Sequence, residues 1–302
     1  MSQNFPHRFT VFTPTYNRAH TLLRVYESLK IQTYKNFEWL IVDDGSSDGT
    51  AGMVEQWQEE DSLTIRYFYQ ENQGKHVAFN RGVLEAQGNL FLTLDSDDTC
   101  VSNALERFVY HWQGIPVAER ENFSGVTCLC MDAEGKVVGT RFPLAVMDAD
   151  LITFTIRYKQ VGDKWGFHRT DILRQYPFPI FFGERFVPEG VVWNRIGRKF
   201  KLRFIDEPLR ICEYLSDGLT ASIIRLRARN PLGVRCYYFE YLQLAVPFRY
   251  RWKAIINYFR FSAHAGMPPL EALRDLGNFL EGLLLLPAGY LFYLADCWAI
   301  KK

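Results

Sequence analysis

The first hundred residues alternate between short apolar runs and amphipathic stretches. Phe9 to Thr13 predicts a strand stopped by Pro14, with Thr15 to Arg18 as the loop after it. His20 to Gln32 carries Leu22, Leu23, Tyr26, Leu29 and Ile31 at roughly helical spacing. Glu38 to Val42 predicts a second strand and Thr50 to Glu59 a helix. Ile65 to Tyr69 predicts a third strand, and His76 to Ala86 a helix with Gly88 as its stop. Leu90 to Leu94 is apolar in the way of a strand buried on both faces. Strands alternating with helices imply βαβ units, parallel pairing and right-handed crossovers. Ligands of such sheets bind beyond the carboxyl ends of the strands.

The polar residues fall at those ends. The first strand runs into Pro14-Thr15-Tyr16-Asn17, the second into Asp43-Asp44-Gly45, and the fourth into Asp95-Ser96-Asp97-Asp98. Carboxylates at the end of a buried strand are costly unless paired with cations or a metal. A turn beginning at Ser96 could aim Asp95, Asp97 and Asp98 at one point. Clustered hard oxygens suit magnesium or manganese, which often bind one or two carboxylates plus substrate phosphates. An ordinary acidic turn is the plainer alternative. Three polar turns on one sheet edge point instead to a nucleotide site. Neither GxGxxG nor GxxxxGK[ST] is present. A bound phosphate would therefore be neutralised by a metal on the Asp cluster and by Lys75.

The segments PTYNR, QTYKNFEWLIVDDGSSDGT, ENQGKHVAFNRG and LFLTLDSDD, in that order, resemble inverting family-two nucleotide-sugar glycosyltransferases of the GT-A fold. The resemblance is dense over residues 8–100 and looser to about residue 220. It implies an α/β, Rossmann-like mixed sheet, mainly parallel, with flanking helices. It implies that Thr15 and Tyr16 line the nucleoside pocket and that Asp43 or Asp44 contacts the base. Asp95 would sit near the ribose, and Asp97 would bind Mn2+ or Mg2+ on the diphosphate. Asp98 would support those ligands. Uracil is the base it most favours. Pro14, Asn17, Lys75 and Ser96 complete the nucleotide-binding set.

Past residue 100, Asn103 to Gln113 predicts a helix, and Val126 to Met131 with Val137 to Thr140 a hairpin. Asp148 to Arg157 predicts another helix. Gly162 to Arg169 reads two ways: a loop whose Trp165 stacks on a sugar, or a strand with Trp165 and Phe167 in the core. His168 alone is no evidence of catalysis. Pro188 and Glu189 suit a helix's first turn, with Val192, Trp193 and Ile196 continuing an apolar face. By the resemblance, an acidic pair opens a helix here and supplies the general base. Gly190 replaces one member, which leaves Glu189, with Glu184 as the fallback. Leu202 to Ile205 and Leu209 to Cys212 predict closing strands, and Glu213 to Thr220 a loop near the donor phosphates.

Composition changes the picture in the last third. The net charge is only +1, yet residues 221–262 hold eight basic residues and one acidic one, Glu240, with aromatics interleaved. No nucleic-acid motif accompanies them. Basic, aromatic helices suit an anionic membrane interface. Farther on, the uncharged part of the tail, Gly282 to Ala295, is 14 residues and is interrupted by Pro287 and Gly289. A spanning helix needs about 20, so an in-plane or re-entrant helix is expected. The six cysteines form no CxxC and fit reduced thiols. The N-terminus has no signal-peptide pattern.

The expectation is a GT-A catalytic domain at 1–220 and a helical membrane-docking region at 221–302. The chain would move a hexose or N-acetylhexosamine from a nucleotide sugar to a polyprenyl-diphosphate-linked glycan. The place would be the cytoplasmic face of the membrane, peripheral or re-entrant. Two other readings share the sheet: a sugar-phosphate nucleotidyltransferase and a non-catalytic nucleotide-sugar-binding protein. The first needs a glycine- and arginine-rich loop where PTYNR stands.

Overall fold

The computed structural model describes residues 8–212 and 223–301. It divides into two compact units, Met1–Pro177 with Lys199–Glu213, and Phe178–Arg198 with Tyr214–Lys302. The segment containing Glu189 therefore clusters with the C-terminal helices and not with the sheet.

The first unit is built on strands β1 (Phe9–Thr15), β2 (Phe37–Asp43), β3 (Ile65–Tyr69), β4 (Leu90–Thr93), β5 (Thr99–Cys100), β6 (Phe123–Met131), β7 (Val146–Ala149), β8 (Lys164–Arg169) and β9 (Lys201–Ile211). Helices α1 (Ala19–Lys30), α2 (Thr50–Glu59), α3 (Lys75–Glu85), α4 (Ala104–Gln113) and the single turn α5 (Thr170–Leu173) belong to the same unit. The sheet order is β3-β2-β1-β4-β8-β6-β9-β5, with β7 on β9.

Every residue of β1 and β2 is buried. That is the signature of parallel strands covered on both faces. Pairings β1–β2, β1–β4 and β2–β3 are parallel, as the βαβ pattern predicts. β8 then inserts antiparallel between β4 and β6, which makes the sheet mixed. One core cluster gathers Phe9, Trp39, Leu92, Phe108, Trp165 and Phe167 among its buried residues.

Four expectations need correcting. β1 does not stop at Pro14 but runs through it to Thr15. The two closing strands expected at 202–205 and 209–212 are one strand, β9 (Lys201–Ile211), whose irregular register against β6 absorbs Pro208. The hairpin partner at 137–140 is reduced to a single bridge, Met131–Val137. The helix expected from Asp148 begins in β7 and continues as a short π-helical turn, Thr153–Arg157.

The second unit contains α6 (Gly190–Gly197), α7 (Ile223–Arg229), α8 (Pro231–Leu242), α9 (Phe248–His264), α10 (Pro269–Leu276) and α11 (Phe279–Lys301). Ile255, Tyr258 and Phe259 of α9, Ala272 and Leu273 of α10, and Leu285 of α11 share a core. The interruption expected at Pro287 and Gly289 does not occur: α11 runs through both. A Cβ on Gly289 would lie 2.5 Å from that of Phe259. The glycine thus serves close approach to α9 and does not end the helix.

Among the described residues, Phe279–Ile300 is one helix long and apolar enough to cross a membrane, with mean hydropathy 1.6. Only 17% of that span is buried, and Leu280, Leu284, Leu291 and Trp298 are exposed. Part of the basic excess is internal pairing. Arg235 meets Asp275, Arg251 meets Glu281, and Arg260 meets Asp296. Those carboxylates lie just beyond the basic window.

Candidate active site

Parallel register brings the first two strand ends together, with Thr15 opposite Asp43. The Asp44 N–H donates to Thr15 O at 2.8 Å. Thr15 Oγ1 is buried and has no hydrogen-bond partner among the described residues, whereas Tyr16 is half exposed. Asn17 takes φ +52. Its N–H donates to Ser46 Oγ and its Oδ1 accepts from the Ser47 N–H, both at 2.8 Å. Asn17 thereby staples the first loop to the second.

Asp43 and Asp44 are buried and already engaged. Asp43 accepts from the Ser46 N–H at 2.7 Å and from the Tyr67 hydroxyl at 2.6 Å. Asp44 accepts from Gln70 Nε2, the Gln73 N–H and the Gly74 N–H. Gly74 sits at φ +98, a region open to glycine, and leads directly into α3. Asp44 therefore fixes where α3 begins, and Lys75 is the first residue of that helix. Lys75 Nζ reaches Asp95 at 2.8 Å.

β4 delivers the acidic turn. Leu94 continues the strand by donating to Phe12 O, and the Asp98 N–H closes a turn on Asp95 O. Ser96 is buried in that turn. Burial raises the Asp95 pKa, but Lys75 and Arg210 more than offset it and hold the carboxyl below its usual range. Burial and then the neighbouring Asp95 push Asp97 up. Burial lifts Asp98 to about 7, against the pull of Arg210, whose guanidinium lies 3.2 Å away.

The three carboxylates do not converge as expected. Among the described residues no group of three or more His, Cys, Asp or Glu side chains could hold a metal. Asp98 is turned to Arg210 on β9 instead. A divalent cation still fits the residues present. Asp97 is crowded by a like charge, which an added cation would relieve, and magnesium sites commonly use one or two carboxylates plus phosphate oxygens.

Trp165 and Phe167 lie in the core at 3% and 0% exposure, so the sugar-stacking loop reading is overturned. Trp165 Nε1 donates to Thr93 O, tying β8 to the end of β4. Glu184, the fallback base, is engaged in the fold. Its oxygens accept the N–H groups of Leu232 and Gly233 at 2.7 and 2.8 Å, which caps α8. Glu189 is exposed and stands at the N-cap of α6, in the second unit. The loop at 213–220 lies outside the described residues.

Two residues escaped sequence reasoning. Tyr67 orients Asp43, and nothing in an alternating strand announces that. Arg210 had a signal: an arginine inside the apolar run Leu209 to Cys212 needs an anionic partner if buried.

A parallel β3-β2-β1-β4 half extended by antiparallel β8, with its polar loops at the strand ends, is a GT-A architecture. TarS of S. aureus, solved with UDP-GlcNAc, has TM-score 0.63 and 18% identity over 96% of this chain and 81% of that one. A Pyrobaculum calidifontis mannosyltransferase, solved with GDP-Man and Mn2+, has TM-score 0.56 and 18% identity over 97% and 88%. At such identity these likenesses show the fold. Residues 10–118 match the family model "Glycosyl transferase family 2", and this segment of the chain is a family-2 glycosyltransferase domain.

An uncharacterized glycosyltransferase of Rickettsia felis is 38% identical over 99 residues, 33% of this chain and 16% of its own length. A Campylobacter jejuni relative, named as a GalNAc(5)-diNAcBac-PP-undecaprenol beta-1,3-glucosyltransferase, is 36% identical over 100 residues, 32% of each. The alignments thus span about a third or less of these relatives' length.

Proposed function

We propose that the chain transfers a hexose or N-acetylhexosamine from a nucleoside diphosphate sugar, with uridine as the favoured base, inverting the anomeric centre. The observation that carries this is the meeting of three strand ends. Thr15 is in register with Asp43, Asp44 sets the start of α3, and α3 delivers Lys75 to Asp95. Thr15 Oγ1 and Tyr16 would face the nucleoside. Asp43 and Asp44 would offer remaining lone pairs to the base, Asp95 would reach the ribose, and Lys75 would meet phosphate.

Asp97, with the donor's own phosphate oxygens, would hold Mn2+ or Mg2+. When bound, the cation stabilises negative charge developing on the diphosphate leaving group. Glu189 would take the proton of the acceptor hydroxyl as that oxygen bonds to the anomeric carbon and the bond to diphosphate breaks. Such a base contributes typically about 10²–10⁴-fold.

The acceptor we infer is a glycan on polyprenyl diphosphate, handled at the cytoplasmic face of a membrane. The exposed apolar face of α11 supports this, as does the undecaprenol in the Campylobacter relative's name. α11, at about 1.5 Å per residue, is long enough to span or to lie in the interface. The test is incubation of the full chain with a panel of UDP-sugars, manganese and a polyprenyl-diphosphate glycan in vesicles. Sugar transfer with release of UDP is expected. Failure to hydrolyse or transfer from any nucleotide sugar would leave a binding protein instead.

A further inference from the structure

The second unit contains a cavity of about 300 Å3 lined by Arg225, Ala228 and Arg229 of α7, His264 at the end of α9, and Cys297 and Ile300 of α11. Arg225 and Arg229 are four residues apart, so they share one face of α7. Neither has a carboxylate partner among the described residues. Asp296 of α11 is already engaged: Arg260 meets both of its oxygens, and His264 Nε2 lies 3.0 Å from one of them. His264 is held by ring contacts with Phe261 and Tyr293. Among the described residues the cavity therefore presents two guanidinium groups without a carboxylate partner, beside an imidazole already paired with Asp296. One wall is the apolar helix α11, whose Leu291, Leu294 and Trp298 are exposed nearby in sequence.

Paired guanidinium groups match phosphate oxygens, and an apolar wall matches hydrocarbon. We propose that this cavity binds the phosphate or diphosphate head of a lipid whose chain runs along the exposed face of α11. The proposal rests on the lipid-linked acceptor reading and deepens it by naming where the lipid's phosphate sits. A generic attraction of basic residues to anionic membranes would act on every exposed cation alike. A built site acts on a phosphomonoester or diphosphate in particular.

Vesicle flotation of the full chain tests it, with phosphatidylcholine carrying either phosphatidic acid or phosphatidylserine at matched surface charge. The expected result is tighter association with phosphatidic acid by about tenfold, since its phosphomonoester offers paired guanidinium groups more anionic oxygens for bidentate bonds than a phosphodiester does. Arg225→Gln/Arg229→Gln should lose that preference. Ala228→Trp keeps both guanidinium groups, fills the cavity and should lose it too, which covers the case where the double variant does not fold. Arg249→Gln/Lys253→Gln should keep it. Equal association of the wild type with both lipids would overturn the cavity while leaving membrane docking intact. No association with any vesicle would overturn both. Complete displacement by inorganic diphosphate at equal concentration would assign the site to the free anion and overturn the lipid.

Discussion

Lys75 Nζ lies 2.8 Å from one oxygen of Asp95 and 3.1 Å from the other. The first residue of α3 thus clamps the first carboxylate after β4, and two loops far apart in sequence act as one surface. Lys75→Met leaves Asp95 beside Asp97 without its closest cation. We expect a loss of about 1–2 kcal/mol in chemical denaturation, modest because the pair is about one third exposed, and weaker binding of uridine diphosphate. Unchanged nucleotide affinity would remove Lys75 from the phosphate site.

The two acidic candidates for the base separate cleanly. Glu184 caps α8 through two backbone N–H groups. Glu184→Ala should therefore lower stability by about 1–2 kcal/mol, as lost caps do, with turnover retained at a temperature where the variant is folded. Glu189→Gln should do the reverse, keeping the melting temperature and donor binding while losing about 10²-fold or more in kcat. Wild-type turnover in Glu189→Gln would remove it from the mechanism.

Trp165 is a core residue, buried against Phe108 and bonded to Thr93 O. Trp165→Ala should cost about 3–5 kcal/mol, as large aromatic truncations in cores do. Trp165→Phe should cost less and leave the donor KM unchanged. A raised KM with unchanged stability in Trp165→Phe would return this residue to the sugar site.

Burial pushes His168 down to about 4 from its ordinary 6.5. The folded chain keeps this imidazole neutral, so below about pH 6.5 the unfolded chain binds a proton that the folded one refuses. Stability contributed by the neutral form is complete above pH 6.5 and is lost as pH falls toward 4. Denaturation midpoints for the wild type should decline over that window, and His168→Gln should decline less. Parallel curves for the two proteins would show that another group controls acid stability.

Much of this was legible in the sequence where one physical signal dominated. α2 and β3 have the bounds read from periodicity, since apolar spacing there competes with nothing else. The strand-end positions of Thr15, Asp43 and Asp95 followed from the βαβ pattern alone. The antiparallel entry of β8 did not, because Gly162 to Arg169 carries both loop glycines and core aromatics, and only pairing with Leu92 and Val126 decides between them. Pro287 read as a helix breaker, yet packing against α9 carries α11 through it. The basic stretch at 221–262 overstated free charge, since acids outside the window neutralise Arg235, Arg251 and Arg260. Ion pairing across helices is invisible to a local count.

Calorimetric titration of uridine diphosphate with and without manganese most directly tests a cation-assisted diphosphate site at Asp97. Wild-type chain should bind at least about tenfold tighter with manganese, a difference of ~1.4 kcal/mol. Asp97→Ala should show the same weak affinity in both buffers. An equal gain from manganese in both proteins would contradict the assignment.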